Sequence, residues 1–166
     1  MRDVPYPTDN SALAGVQDAM DRSDIDALRS EFTDAVLMKD YERFASLFAE
    51  DGVWQMPHVG LVLTGRWEIR AGVERMQSLW EIFIQTTHGG TVQLAGDTAS
   101  GRGHVSEFGR LRDGRSGRNT AVYHDKFRRS AEGWKFTERT HEMLYVDFSP
   151  LEGTTPYVQD AYSHRP

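Results

Sequence analysis

The sequence predicts an α+β fold in which helices lie on one face of a strongly curved antiparallel sheet and enclose a hollow. Apolar residues recur at helical spacing between Ser23 and Ile84, whereas the chain from Thr91 to Val146 alternates with a period of two between short turns. The two textures are segregated along the chain, which is the order of a sheet covered on one side by helices. A length of 166 residues, with 39% hydrophobic and 27% charged side chains, suits one domain with a sizeable core.

Taken in order, residues 1–20 lack sustained periodicity and are expected to form a flexible N-terminal arm, with a turn of helix at Val16–Met20. The folded domain is expected over 21–150. Ser23 and Asp26 resemble a capping box, and Ile25, Leu28, Phe32, Ala35 and Val36 then hold one helical stripe. Lys39–Asp40 interrupts it, and Tyr41, Phe44, Ala45, Leu47 and Phe48 predict a second helix stopped by Glu50–Asp51–Gly52. Val53–Met56 and Val59–Leu63 read as short strands forming a hairpin around Pro57–His58. After Thr64–Gly65, the spacing of Ile69, Val73, Met76, Leu79, Trp80 and Phe83 predicts a third helix over 66–84. Thr91–Leu94 is a short strand and Gly96–Asp97 a turn. Ala99–Leu111, Asn119–Arg129 and Trp134–Val146 are three long strands of a meander, and Gly101 and Gly103 invite a bend in the first. Residues 151–166, rich in Pro, Gly, Thr and Tyr, read as a tail.

Bulk properties narrow the function. No cysteine is present, which removes disulfide and thiol chemistry. A formal charge of -6 argues against nucleic acid or an anionic membrane as partner. No stretch approaches the roughly 18 apolar residues of a membrane span. The N-terminal residues lack the apolar core of a secretory signal, so a cytoplasmic location is expected. The six histidines show no HxH or HExxH spacing, and no Gly-rich loop leads from a strand into a helix, so neither a metal nor a cofactor is expected. The expected partner is a hydrophobic small molecule.

Five segments, "DYERFASLFAEDGVW" (40–54), "TGRWEIRAGV" (64–73), "THGGTVQLAGDTASGRGHV" (87–105), "YHDKFRRSAEGWKFTER" (123–139) and "VDFSPL" (146–151), resemble in this order the nuclear transport factor 2-like superfamily. The closer likeness is to its SnoaL-like branch of polyketide cyclases and scytalone dehydratase-like proteins. The resemblance spans about 23–150 and implies a cystatin-like cone of three helices against a curved sheet. It implies less about function, because this fold carries dehydratases, cyclases, isomerases, epoxide hydrolases and non-catalytic assembly subunits. The helix-one Tyr and Asp of the dehydratases correspond here to Val36 and Leu37, and their sheet asparagine to Tyr123, so a scytalone-type mechanism does not follow.

The candidate site combines this resemblance with alternation. In the family the histidine opening "H…GGT" faces the hollow, and His88 matches it; the other reading is an imidazole capping the end of helix three. Along Thr120–Arg129, Ala121, Tyr123, Asp125 and Phe127 share one face, and His124, Lys126 and Arg128 share the wet one. An inward Asp125 requires a partner. Paired with His88 it would form a proton-transfer dyad; paired with Arg139 it would be structural. His104 and Glu107 fall on opposite faces of a regular strand, and either His141 or Glu142 faces inward. Trp54, Met56, Trp80 and Phe83 supply an apolar wall, with His58 in the loop at the mouth.

The expectation is a cofactor-independent enzyme of cyclase, dehydratase or isomerase type acting on a hydrophobic oxygenated molecule. His88 is its base, Asp125 the orienting partner or acid, and Tyr123 the donor to an enolate oxygen; Trp54, Met56, His58, Trp80, Phe83, Arg139 and His141 contact substrate. The alternatives are an assembly subunit similar to the small subunit of ring-hydroxylating dioxygenases, which "VWQMP" at 53–57 resembles, or a ligand-binding protein. A homodimer through the outer faces of the long strands is expected.

Overall fold

The computed structural model describes residues 9–154, with side chains from residue 12 onward. Residues 1–8 and 155–166 lie outside the described residues, as do the parts of the arm and tail expectations that fall on them.

Helix α1 (Asp9–Leu37) begins well before Ser23, so 9–20 are helical where a loose arm was expected. Every side chain from 12 to 20 is exposed, so this half carries no apolar stripe for a sequence reading to detect. It extends a helix whose buried half, from Asp21 to Val36, is held by packing. Lys39 takes a positive φ of 57°, and the Asp40 carboxylate accepts from the Arg43 backbone N–H to cap α2 (Tyr41–Ser46).

Strand β1 (Phe48–Met56) starts inside the stretch predicted as helix. Leu47 and Phe48 continue the helical spacing of Phe44 but are buried for a different reason, Phe48 being already in the sheet. Glu50–Asp51–Gly52 therefore does not stop a helix; it marks the register shift between Phe48 and Val53 where β1 pairs with β6 (Gly133–Asp147). The hairpin around Pro57–His58 forms, but Val59 belongs to a 3-10 turn at Pro57–Val59, so its second strand, β2, runs over Leu61–Thr64 instead of 59–63.

Helix α3 (Gly65–Ser78) ends six residues before the predicted Ile84, and β3 (Trp80–Ala95) runs through the rest of that helix and the short strand beyond it. Leu79, Trp80 and Phe83 happen to keep helical spacing, but Trp80-Glu-Ile-Phe-Ile-Gln-Thr-Thr is rich in aromatic and β-branched side chains that fit a pleated surface. His88 is consequently mid-strand and caps no helix. Strands β4 (Thr98–Leu111) and β5 (Ser116–Ser130) follow, and the sheet order is β2-β1-β6-β5-β4-β3, with β1 parallel to β6 and every other pair antiparallel. The helices cover one face of this curved sheet as an α+β cystatin-like cone, and among the described residues no helix is long and apolar enough to cross a membrane.

The core gathers around Phe32 of α1, which packs on Phe44, Phe48, Trp54, Tyr123 and Phe136 with ring centroids 4.4 to 6.3 Å apart. One polar anchor fastens α1 to the far strands. Asp21, buried, accepts from Arg129, from the Trp134 indole Nε1–H at 3.1 Å and from Gln17. The Arg129 hydrogen bond dominates over burial and holds this carboxyl at about 2, against an ordinary 3.8. A depressed carboxyl stabilises the fold fully above its unfolded value and loses that contribution as pH falls through the folded one. Asp21→Asn should therefore lower stability at neutral pH and flatten its fall between about pH 4 and 2, read by denaturant titrations across that window; an unchanged slope would sink the assignment.

Candidate active site

The cone encloses a hollow of about 620 Å³ whose walls are apolar, with Phe32 and Val36 from α1, Trp54 and Met56 from β1, Met76 from α3, and Trp80 and Phe83 from β3. All four wall residues expected from the sequence line it, although Trp80 and Phe83 reach it from a strand.

One polar patch interrupts this wall, and cross-strand register builds it. Gln85 on β3 stands opposite Glu107 on β4, which stands opposite Asn119 on β5, and Tyr123 on β5 stands opposite His141 on β6. The Gln85 amide donates to Glu107 Oε1 at 2.6 Å and the Asn119 amide to Oε2 at 2.9 Å, while Gln85 Oε1 accepts from the Thr33 hydroxyl of α1 at 2.6 Å. The curl of the sheet brings His141 Nε2 to 3.8 Å from Glu107 Oε2, ion-pair range though not a direct hydrogen bond. His141 is 3% exposed and its Nδ1 has no partner in the protein. Trp54 Nε1 and Asn119 Oδ1 are likewise unpartnered, so three residues of the lining each carry a buried polar atom without a hydrogen bond.

The electrostatics follow from these contacts. Burial pushes the Glu107 carboxyl up, but the His141, Asn119 and Gln85 contacts outweigh it and hold the group below the usual carboxylate range, so it is ionised at neutral pH. Burial is the main cause that drives the Tyr123 hydroxyl far above its ordinary value, so it stays a neutral donor. The edge of Tyr123 meets the His141 ring at 5.1 Å between centroids, and the exposed His58, in the turn after β1, approaches the same ring at 5.1 Å.

Asp125 and His88 do not meet. The Asp125 carboxylate accepts from Arg29 Nε at 3.1 Å through Oδ2 and pairs with Arg139 Nε at 3.4 Å through Oδ1, all three side chains being at least 98% buried. The Arg139 guanidinium lies over the faces of Tyr123, Phe32 and Phe136 at 3.9 to 4.4 Å. Asp125 points inward as its alternation requires, and of the two partners left open by sequence it takes Arg139, joined by Arg29, so no dyad with His88 forms and the cluster is structural. His88 is exposed on β3, its Nε2 sharing a hydrogen bond with the Ser106 hydroxyl at 2.8 Å. The register shift between Thr87 and Gly90 sits at this point of the strand. Arg139, expected to contact substrate, is not in the cavity lining.

Arg29 reaches Asp125 through a slot of glycines. A Cβ on Gly101 would stand 2.0 Å from the Thr91 carbonyl oxygen and 2.9 Å from Arg29 Nη2, and one on Gly90 would stand 2.1 Å from the Arg102 carbonyl oxygen. Gly101 therefore does more than invite a bend, since it leaves room for a neighbouring backbone and a buried guanidinium. Gly101→Ala should cost about 1–3 kcal/mol by overpacking, measured as a fall in the denaturation midpoint. A midpoint equal to the native one would contradict the slot.

Gln85, Asn119, Thr33 and Arg29 were not singled out by sequence, and Glu107 was weighed only as the residue on the face opposite His104. The signals existed: Gln85, Glu107 and Asn119 are polar residues at inward positions of three adjoining strands, and Arg29 interrupts the apolar stripe Ile25, Leu28, Phe32. Among the described residues no group of three His, Cys, Asp or Glu side chains is gathered to hold a metal.

The model of the SnoaL-like domain matches residues 17–140. No curated protein matches the chain significantly. Among solved structures, a candidate aromatic ring hydroxylase from Novosphingobium aromaticivorans superposes with a TM-score of 0.72 at 28% identity, covering 78% of this chain and 93% of that one. The hexachlorocyclohexane dehydrochlorinase LinA-type3 from Novosphingobium barchaimii superposes at 0.74 with 26% identity, covering 84% and 96%. A candidate scytalone dehydratase from Novosphingobium aromaticivorans, at 18% identity and a TM-score of 0.72 over 84% and 94%, shares the fold.

Proposed function

Because the chain belongs to the SnoaL-like domain family of the nuclear transport factor 2-like superfamily, we propose that it is a small-molecule enzyme in which His141, rather than His88, moves a proton of a hydrophobic carbonyl compound held in the cone. The observation that carries this reading is the buried His141 with an ionised carboxylate behind its Nε2 and an unpartnered Nδ1. A carboxylate on the Nε2 side favours the neutral tautomer protonated there, which leaves the lone pair on Nδ1. Nδ1 has no partner in the protein and is shielded in this side-chain arrangement, so the reading requires the His141 ring to turn toward a substrate seated in the hollow.

In the forward step the C–H beside the substrate carbonyl gives its proton to His141. The electron pair moves onto the carbonyl oxygen, and the imidazolium that forms is stabilised by Glu107. Tyr123, neutral and adjacent, donates to the enolate oxygen, and the apolar walls exclude water from the charge that develops. Such an enolate is the common intermediate of dehydration, isomerisation and aldol-type cyclisation, so the site supports this class of chemistry without selecting one member. The family likeness and the dehydrochlorinase and dehydratase relatives support a lyase- or isomerase-type reading. The open hollow favours it over an assembly subunit whose cavity is packed with side chains. A homodimer across the sheet is carried with this reading, with Leu144 and Tyr145, 57% and 63% exposed, available for the contact.

The test is enzyme-dependent exchange of protons beside a carbonyl, followed by NMR in D2O with a panel of bicyclic aromatic ketones, 2-tetralone first. Exchange that the protein accelerates, and that His88→Ala leaves intact, supports the assignment. Saturable binding of these ketones with no exchange would make the protein a ligand binder.

A further inference from the structure

The base assigned above is shut away from water, and a buried base that takes a proton has to return it between turnovers. Glu107 cannot serve as the outlet. It is held by Gln85, Asn119 and Thr33-anchored bonds within the wall, and its side chain is 13% exposed. Tyr123 stays protonated at neutral pH, and Arg139 and Arg29 are buried in their own cluster with Asp125. The remaining titratable neighbour is His58.

Three features single it out. Its ring stands 5.1 Å from the His141 ring between centroids, inclined by 42°, a separation that one side-chain adjustment or one bridging water spans. It lines the cavity and is exposed, so one side chain touches both the lining and the solvent. It is also held by local geometry, on a 3-10 turn opened by Pro57 and closed by Gly60 in the left-handed region at φ 67°.

We propose that His58 is the proton outlet of the site, a positioning residue that acts through His141 and connects it to solvent; this rests on the reading of His141 as the base. After the chemical step the imidazolium of His141 gives its proton to the neutral His58 imidazole. His58 then releases it to bulk water or buffer, which restores both rings and leaves no net change in the protein. Neutral His58 is the form this needs, and burial followed by repulsion from His141, opposed by Glu107, holds it below the ordinary histidine value.

The experiment reads the relay without needing a substrate. In the full chain labelled with nitrogen-15, the exchange of the His141 ring N–H with water is measured by NMR for the native protein, for His58→Ala and for His58→Gln. Expected is a slowing on the order of tenfold in both variants, recovered when free imidazole is added, because a mobile base replaces the missing one. Exchange unchanged in both variants, or slowed but insensitive to imidazole, overturns the outlet. The ketone assay on the same samples separates the two ideas. If ring exchange slows but no ketone exchanges in the native protein, the relay stands and the catalytic reading falls. If ketones exchange and ring exchange does not depend on His58, the catalytic reading stands and the relay falls.

Discussion

Asp125→Asn is expected to lower stability by about 3–5 kcal/mol, the usual cost of removing one partner from a buried ion pair. The reason is the company it keeps. Two guanidiniums, Arg29 from α1 and Arg139 from β6, converge on this one carboxylate, and Arg29 is otherwise compensated only by the exposed Asp26. An amide leaves two cations facing each other in a region sealed from water. Set against a typical domain stability of 5–15 kcal/mol, that loss brings the fold near its threshold. Denaturant unfolding measures it directly, and the double variant Asp125→Asn with Arg139→Met should recover part of the loss, because a buried cation is removed and its place among Phe32, Tyr123 and Phe136 suits an apolar side chain. A midpoint equal to the native one, together with lost ketone exchange, would instead move Asp125 into the chemistry.

His141→Asn should reduce catalysed exchange by about 10²–10⁴, the range for removing a positioned general base. Asparagine keeps polarity and approximate shape, so the fold should survive and the loss should fall on the rate of the bound substrate rather than on binding. His88→Ala is the control: His88 is exposed and linked only to Ser106, and its loss should leave the rate intact. Glu107→Gln belongs to the same series, because a neutral amide leaves the imidazolium uncompensated, and its effect should appear in the rate at every pH where the native carboxylate is ionised. Equal rates in native protein and His141→Asn would end the assignment.

The fold was legible because its signals are local. Stripes and alternation located the helices and long strands, and the alternation of β5 correctly turned Tyr123 and Asp125 inward and left His124, Lys126 and Arg128 exposed. Errors arose where spacing coincided with a different structure, as at Phe48 and at Trp80 and Phe83. Partners were less accessible. Asp125 announces that it needs a counter-charge, but nothing local says that Arg29, 96 residues away, will reach it through a gap left by glycines. Likewise "RTHEM" narrows the inward residue to His141 or Glu142, but only the curl of the sheet sets His141 against Glu107. Long-range pairing through curvature is the information a linear pattern lacks.

The links that fasten α1 to the sheet also govern when the protein can fold. Arg29 to Asp125 spans 96 residues, Asp21 to Arg129 spans 108 and Asp21 to Trp134 spans 113. On a ribosome the first helix therefore emerges long before its anchors exist. Phe32 can meet Phe44 of α2 early, but the buried polar links of Arg29 and Asp21 form only after β5 and β6 have been made. Contacts of such large sequence separation slow folding, and a waiting amphipathic helix is a surface that chaperones bind. Within this domain α1 is thus translated before the strands that anchor it, and its polar fastening is completed only when β6 has followed.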